Sequence, residues 1–76
     1  MKELLTYIVQ SLVDKADEVS VTEREAGGET VFEVRVARGD MGKVIGRQGR
    51  VVKEIRTLMK AVAQREGKKV SVEILD

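Results

Sequence analysis

Hydrophobic residues recur at helical spacing in the first part of the chain. The apolar positions between residues 3 and 14 follow one another at steps of one or three, and they are Leu4, Leu5, Ile8, Val9, Leu12 and Val13. Residues three or four apart lie on one side of an α-helix, so this spacing places the set on one face. The pattern predicts an amphipathic helix over about residues 3–14 that packs on a sheet formed by later residues.

The chain then alternates between apolar and polar residues, which is the period of half-buried strands. Two such runs occur, and their apolar members are Val19 and Val21 in the first and Phe32, Val34 and Val36 in the second. Only the short glycine-rich segment 26–29 separates the end of the first run from the start of the second. A connection this short joins neighbouring antiparallel strands, so the pattern predicts a β-hairpin with Phe32 in the core.

Two helices are predicted after the hairpin. Asp40 can cap a short helix over about residues 41–45, which ends at Gly46. Beyond Gly49 a second helix is indicated by an apolar stripe of about 120° at the helical period, formed by Val51, Val52, Ile55, Leu58, Met59 and Val62. The basic residues of this helix lie on its opposite side and are Lys53, Arg56 and Lys60.

A third strand follows the second of these helices, which Gly67 ends. Val70, Val72 and Ile74 alternate with polar residues, so the predicted order is α-β-β-α-α-β. Two helices make a crossover long enough for the second and third strands to pair in parallel. We therefore predict an α+β fold in which a three-stranded mixed sheet packs against three helices, with residues 1–76 forming one domain.

Composition narrows the range of functions. The chain has 76 residues and contains neither Cys nor His, so thiol nucleophiles, the usual zinc ligands and the commonest neutral-pH general base are absent. A domain this small is not expected to enclose an active site, and we predict no enzyme activity, no cofactor and no metal. No apolar run reaches membrane-spanning length and no signal peptide is evident, so a cytoplasmic location without membrane contact is expected.

Charge is distributed unevenly along the chain although the net charge is only +1. Residues 1–37 hold four basic and eight acidic side chains, whereas residues 38–60 hold seven basic and two acidic ones. The positive charge therefore surrounds the two predicted helices of residues 41–60, as expected if that region meets phosphates. A solvated basic helix face is the alternative explanation.

The loop between these helices contains two glycines that frame a basic and a polar residue, in the order Gly46, Arg47, Gln48 and Gly49. Neither glycine has a Cβ to keep a polynucleotide backbone away, so N–H groups and a guanidinium can reach one phosphate. A tight turn with solvated charges would also explain these four residues. The flanking sequence favours the first interpretation, because apolar residues precede Gly46 and recur at helical spacing after Gly49.

The segment from Ile45 to Ile55 resembles the signature of K-homology (KH) RNA-binding domains, in which a GxxG loop joins two helices. The predicted element order is similar to that of the bacterial type II KH domain, so the resemblance covers the whole chain. It is closest to small stand-alone bacterial KH proteins. The resemblance implies binding of single-stranded RNA, as a small global RNA-binding protein or RNA chaperone that acts post-transcriptionally.

The resemblance also implies a role for each residue of the predicted RNA-binding site. The GxxG residues Gly46, Arg47, Gln48 and Gly49 would hold the RNA backbone, and Val44 and Ile45 would contact bases. Lys43, Arg50 and Lys53 would add long-range attraction. Family membership further implies a homodimer, or a heterodimer with a second KH-containing RNA-binding protein.

Other chemistries fit the sequence less well. A P-loop needs Ser or Thr after its Gly-Lys pair, but Lys43 is followed by Val44. The G-x-G-x-x-G dinucleotide fingerprint is absent too, since Gly42, Gly46 and Gly49 have the wrong spacing. A protein-interaction module, in which the apolar and glycine surface of residues 44–49 packs against another protein, remains the second hypothesis.

Overall fold

A computed structural model of the chain describes residues 1–75 and contains three α-helices and three strands. The helices are α1 (Lys2–Leu12), α2 (Met41–Ile45) and α3 (Arg50–Arg65), and the strands are β1 (Ser20–Ala26), β2 (Glu29–Arg35) and β3 (Val70–Leu75). Single turns of 3-10 helix occupy Ala16–Glu18, Arg38–Asp40 and Arg47–Gly49. The predicted order α-β-β-α-α-β is confirmed.

The sheet has the order β1-β2-β3, with β2 in the middle. The hairpin strands β1 and β2 pair antiparallel, with Val21 opposite Val34. β3 pairs with β2 in parallel, and Phe32 lies opposite Val72. The sheet is therefore mixed, as predicted, because the crossover through α2 and α3 returns the chain in the direction of β2.

The core lies between the three helices and one face of the sheet. Leu5 and Val9 of α1, Phe32 of β2 and Met59 of α3 are each 0–1% exposed. α1 packs mainly on β1, whereas α3 packs on β3 and α2. The predicted core position of Phe32 is confirmed.

Two details of the predicted helices differ from the structure. α1 ends at Leu12, because Val13 already has an extended backbone with φ −107° and ψ 161°. In α3 the buried face consists of Val52, Ile55, Met59 and Ala63. Leu58 belongs to the apolar stripe of the sequence but is 46% exposed. The stripe is thus wider than the surface that the sheet covers.

The charge of β1 differs from that of the connection leading into β3. On β1 the side chains of Glu23 and Glu25 are exposed, although the pairing of Glu23 with Phe32 places it on the helix side of the sheet. The connection that leads into β3 carries Lys68 and Lys69, which are both exposed.

None of the helices in residues 1–75 combines the length and the apolar character needed to cross a bilayer.

Candidate nucleic-acid interface

The GxxG loop is a tight left-handed turn between α2 and α3. α2 ends at Gly46, whose backbone has φ 78° and ψ 172° and whose N–H donates to the carbonyl of Gly42 at 2.8 Å. Gln48 and Gly49 then both have positive φ, at 57° and 75°. The Gly49 N–H donates back to the Gly46 carbonyl at 3.1 Å, which closes the turn. The chain therefore reverses within three residues and enters α3 directly.

The two glycines of the loop are required for different reasons. A Cβ on Gly46 would lie 2.4 Å from Val51 Cγ2 and 2.8 Å from the Val51 backbone nitrogen, which is closer than real Cβ atoms approach. A Cβ on Gly49 would meet no atom within 4 Å, so only its positive φ disfavours a side chain. Gly46 lets the loop pack against the first turn of α3, whereas Gly49 lets the backbone turn.

The apex of the loop presents polar groups to solvent. Arg47 and Gln48 are both exposed, and so is Arg50 at the start of α3. No side chain caps the N-terminus of α3, whose N-cap residue is Gly49. The N–H groups of a helix's first turn lack partners within the helix and favour an anion. Two exposed arginines therefore flank the start of α3, where an anion is favoured and where the Arg50 N–H already donates to the Arg47 carbonyl.

The apolar pair before the loop divides between the core and the surface. Val44 is 0% exposed and belongs to the core, whereas Ile45 is half-buried. The predicted contact of the Val44 side chain with bases is therefore not available in this conformation, because that side chain is buried in the core. Ile45 retains accessible apolar surface next to the glycines.

Lys43 has a different environment from the one expected for a free positive charge. Its Nζ lies 2.6 Å from Asp14 Oδ2 and 3.4 Å from Asp40 Oδ1. The hydrogen bond to Asp14 is the main cause of the raised pKa of Lys43. The ammonium is thus held between two carboxylates of the protein, and the interpretation of Lys43 as a source of attraction for RNA needs correction.

Asp40 anchors the α1–β1 connection to the start of α2. Its side chain is buried, and its carboxylate oxygens accept hydrogen bonds from the backbone N–H groups of Asp14, at 3.2 Å, and Lys15, at 3.0 Å. The hydrogen bond from Lys15 is the main cause of the lowered pKa of Asp40. The expected capping of α2 by this side chain is wrong, because the carboxylate bonds another segment instead.

Acid should weaken this anchor. A carboxylate whose pKa is lowered by folding stabilises the protein above its unfolded pKa of about 3.9, and the stabilisation is lost as the pH falls through the folded pKa. We expect Asp40→Asn to have a lower Tm than the parent chain at neutral pH, and this difference to close below about pH 3.9. Thermal melts followed by circular dichroism across pH 2–7 measure it.

The exposed Asp17, in the same α1–β1 connection, provides the control for that experiment. Asp17→Asn should leave Tm almost unchanged, since this side chain does not bond the backbone of a distant segment. A difference between Asp40→Asn and the parent chain that stays constant from neutral to acid pH would contradict the anchoring role.

A shallow groove between α3 and β3 extends the site. β3 is an outer strand, so its other side is not paired by the sheet. Arg56 reaches from α3 to this side, where its Nε donates to the carbonyl of Val72 at 3.0 Å. Residues of both elements line the groove: Arg56, Lys60, Val70, Ser71 and Val72. Basic side chains therefore stand beside the edge of a strand.

The contribution of β3 was missed in the sequence, although a signal for it existed. The hairpin places β1 on one side of β2, so a third strand parallel to β2 must lie on the other side and form an edge. Lys53 and Lys60 are exposed along α3, as predicted for its basic residues.

The α-β-β-α-α-β order and the mixed sheet, with a glycine-framed loop between α2 and α3, are those of a type II KH domain. The family model for the KH domain of KhpA and KhpB matches residues 2–74. The chain therefore belongs to the KhpA/KhpB KH-domain family.

Similar proteins occur in several bacteria. The RNA-binding protein KhpA of Chlamydia trachomatis is 50% identical over 76 residues, which cover 100% of this chain and 97% of that protein. The RNA-binding protein KhpA of Clostridium acetobutylicum is 53% identical over 75 residues, covering 99% and 100%. Among solved structures, Era of Aquifex aeolicus matches with a TM-score of 0.66 at 19% identity, covering 96% of this chain and 28% of the Era chain. The match to Era concerns the fold alone.

Proposed function

We propose that this protein binds single-stranded RNA through the GxxG loop. The observation that carries the proposal is the loop apex, where the exposed residues Arg47 and Gln48 come just before the N-terminus of α3, which no side chain caps. A phosphate placed there meets a guanidinium and backbone N–H donors together. The names of the relatives, which are RNA-binding proteins, support RNA as the ligand.

The groove between α3 and β3 extends the binding surface from the loop toward the bases. Lys53 lies on the exposed side of α3, and the half-buried Ile45 offers apolar surface beside the loop. The unpaired side of β3 offers backbone polar groups that can hydrogen-bond base edges. A GxxG loop holds the RNA backbone rather than the base edges, so we infer weak and broadly selective binding of roughly four nucleotides.

Such binding suits a small global RNA-binding protein or RNA chaperone. A contact this small becomes effective when a second module on the same RNA raises the effective concentration. The expected second module is another copy of this chain or a different KH-containing RNA-binding protein. Post-transcriptional action, a cytoplasmic location and the single-domain organisation of residues 1–76 stay predictions.

Two lysines with different surroundings test the proposal. Lys53→Gln should weaken binding to all RNA sequences alike and reduce the slope of log K against log salt by roughly 0.7, because a single-strand phosphate contact is lost. Lys43→Gln removes the same charge but should leave that slope unchanged, since the ammonium is already paired with Asp14 and Asp40. Fluorescence anisotropy with labelled single-stranded RNA over a salt series measures both.

Binding of single-stranded RNA by the parent chain is the first requirement of this experiment. If it binds no single-stranded RNA at low salt, the proposed function is wrong. Equal loss of slope in both variants would instead show that the Lys43 ion pairs do not hold in solution.

We propose self-association as a second function, carried by the exposed Leu58. This side chain is 46% exposed in the middle of α3, where Thr57 and Ala61 surround it with small groups. Charged residues of both signs, among them Arg50 and Glu54, border this surface. A two-fold contact between α3 helices of two copies would cover the leucine, whereas the sequence suggested residues 44–49 for this role.

Leu58→Asp should shift the protein toward monomer. In a two-fold interface one substitution introduces its charge twice, and the facing charges repel. Analytical ultracentrifugation at about 100 μM, well above a micromolar Kd, measures the shift. Leu4→Asp is the control, because Leu4 of α1 is similarly exposed at 38%. A parent chain that is monomeric at this concentration excludes a stable homodimer.

A further inference from the structure

A cluster of three lysines lies at the end of α3 that is remote from the GxxG loop. Lys60 of α3 and Lys68 and Lys69 of the α3–β3 connection line one shallow depression at the start of β3, together with Val70 and Glu29. All three lysines are exposed. Like charges gathered at one place repel one another, so the cluster favours an anionic ligand.

Close ion pairs neutralise little of this cluster. Lys68 Nζ lies 3.9 Å from Glu66 Oε1 with both side chains about half exposed, at 58% and 49%, an arrangement that contributes little. Within residues 1–75, neither Lys60 nor Lys69 forms an ion pair. Glu29 is the one carboxylate among the lining residues, against three ammonium groups. Within this depression the balance is positive, whereas on their other side Lys68 and Lys69 line a neighbouring depression with Glu23 and Glu25.

The depression is continuous with the groove between α3 and β3. Lys60 and Val70 line both, so a strand that follows the groove past Arg56 arrives at the cluster. Lys60 lies ten positions after Arg50, which is about 15 Å along α3. The cluster therefore lies well beyond the loop, on the same side of the molecule as the edge of β3.

We propose that Lys60, Lys68 and Lys69 form a second phosphate-binding site for the same RNA strand that the GxxG loop holds. The inference rests on the proposed function and deepens it, because it extends the footprint beyond the roughly four nucleotides of a KH clamp. Ammonium groups on flexible stems bind phosphates as point charges without requiring one geometry. The second site therefore adds affinity and length preference rather than sequence preference.

A length series of labelled oligouridylates tests the second site. Anisotropy titrations at several salt concentrations compare RNAs of four, eight and twelve nucleotides. Longer RNA offers more positions for a short clamp, which raises affinity but does not change the slope of log K against log salt. With a second site, the slope for the parent chain should steepen by up to about 2 from the shortest to the longest RNA, since each contact contributes roughly 0.7.

The triple variant Lys60→Gln, Lys68→Gln and Lys69→Gln should bind the four-nucleotide RNA but lose the steepening with length. The matched control Lys2→Gln, Lys15→Gln and Arg65→Gln removes three charges outside the lining residues and should keep it. Steepening that persists in the first variant, or is absent from the parent chain, overturns the second site. Either result leaves binding of the four-nucleotide RNA, and with it the proposed function, intact. Failure of the parent chain to bind any of the RNAs would instead overturn the proposed function.

Discussion

Replacement of Arg47 and Gln48 by Asp should abolish detectable binding of single-stranded RNA. The double substitution removes the guanidinium at the loop apex and places two carboxylates where a phosphate would lie, so attraction becomes repulsion. Both side chains are exposed, and Asp tolerates the left-handed backbone of position 48 better than most residues. The free energy of unfolding should therefore change by less than about 0.5 kcal/mol. Anisotropy titrations and thermal melts measure the two quantities.

The control changes the total charge by the same amount at another place. Lys2→Asp combined with Gln10→Asp alters one lysine and one glutamine on the exposed side of α1. It should leave RNA affinity nearly unchanged. Equal affinity of the loop variant and the parent chain would show that the GxxG loop does not contact RNA.

Gly46→Ala should destabilise the protein far more than Gly49→Ala. An alanine at position 46 must adopt a backbone conformation that is almost restricted to glycine, which costs about 1–3 kcal/mol of stability. Its Cβ also collides with Val51, which costs about 1–3 kcal/mol more, the cost of overpacking a core. At Gly49 only the left-handed conformation is unfavourable, at about 1–2 kcal/mol. Chemical denaturation, followed by circular dichroism, measures the two free energies of unfolding.

Gly42→Ala is the control for this comparison. Gly42 lies inside α2, where a Cβ meets no atom within 4 Å, so alanine should stabilise the helix by up to about 1 kcal/mol. Similar losses of stability at Gly46 and Gly49 would mean that the close approach of the loop to Val51 does not persist in solution.

Most of the fold could be predicted because its elements are strongly periodic. The alternation around Phe32 and Val72 indicates strands whichever way they pair, and the lengths of the connections determine which pair is antiparallel. α2 was predicted with its bounds because Gly46 ends it. The predicted end of α1 was less accurate. Val13 is apolar and continues the helical spacing, although it lies in the connection that follows the helix.

The environments of individual side chains in the site could not be predicted from spacing. Lys43 and Asp14 are 29 positions apart, so their ion pair depends on how α1 and α2 meet. Asp40 has the residue type and position of a helix cap, but its carboxylate accepts hydrogen bonds from backbone N–H groups of a distant segment instead. Burial of Val44 likewise follows from the rotation of a five-residue helix, too short to show a period.

The uneven distribution of charge around the sheet has a consequence for diffusional encounter. RNA that approaches β1 meets Glu23 and Glu25, whereas RNA that approaches the groove between α3 and β3 meets Arg56 and Lys60. The protein therefore has an electrostatic polarity that orients the groove toward the RNA before any contact forms. This orientation raises the rate of productive association at low salt. The same carboxylates protect the unpaired edge of β1 from pairing with the edge of another molecule.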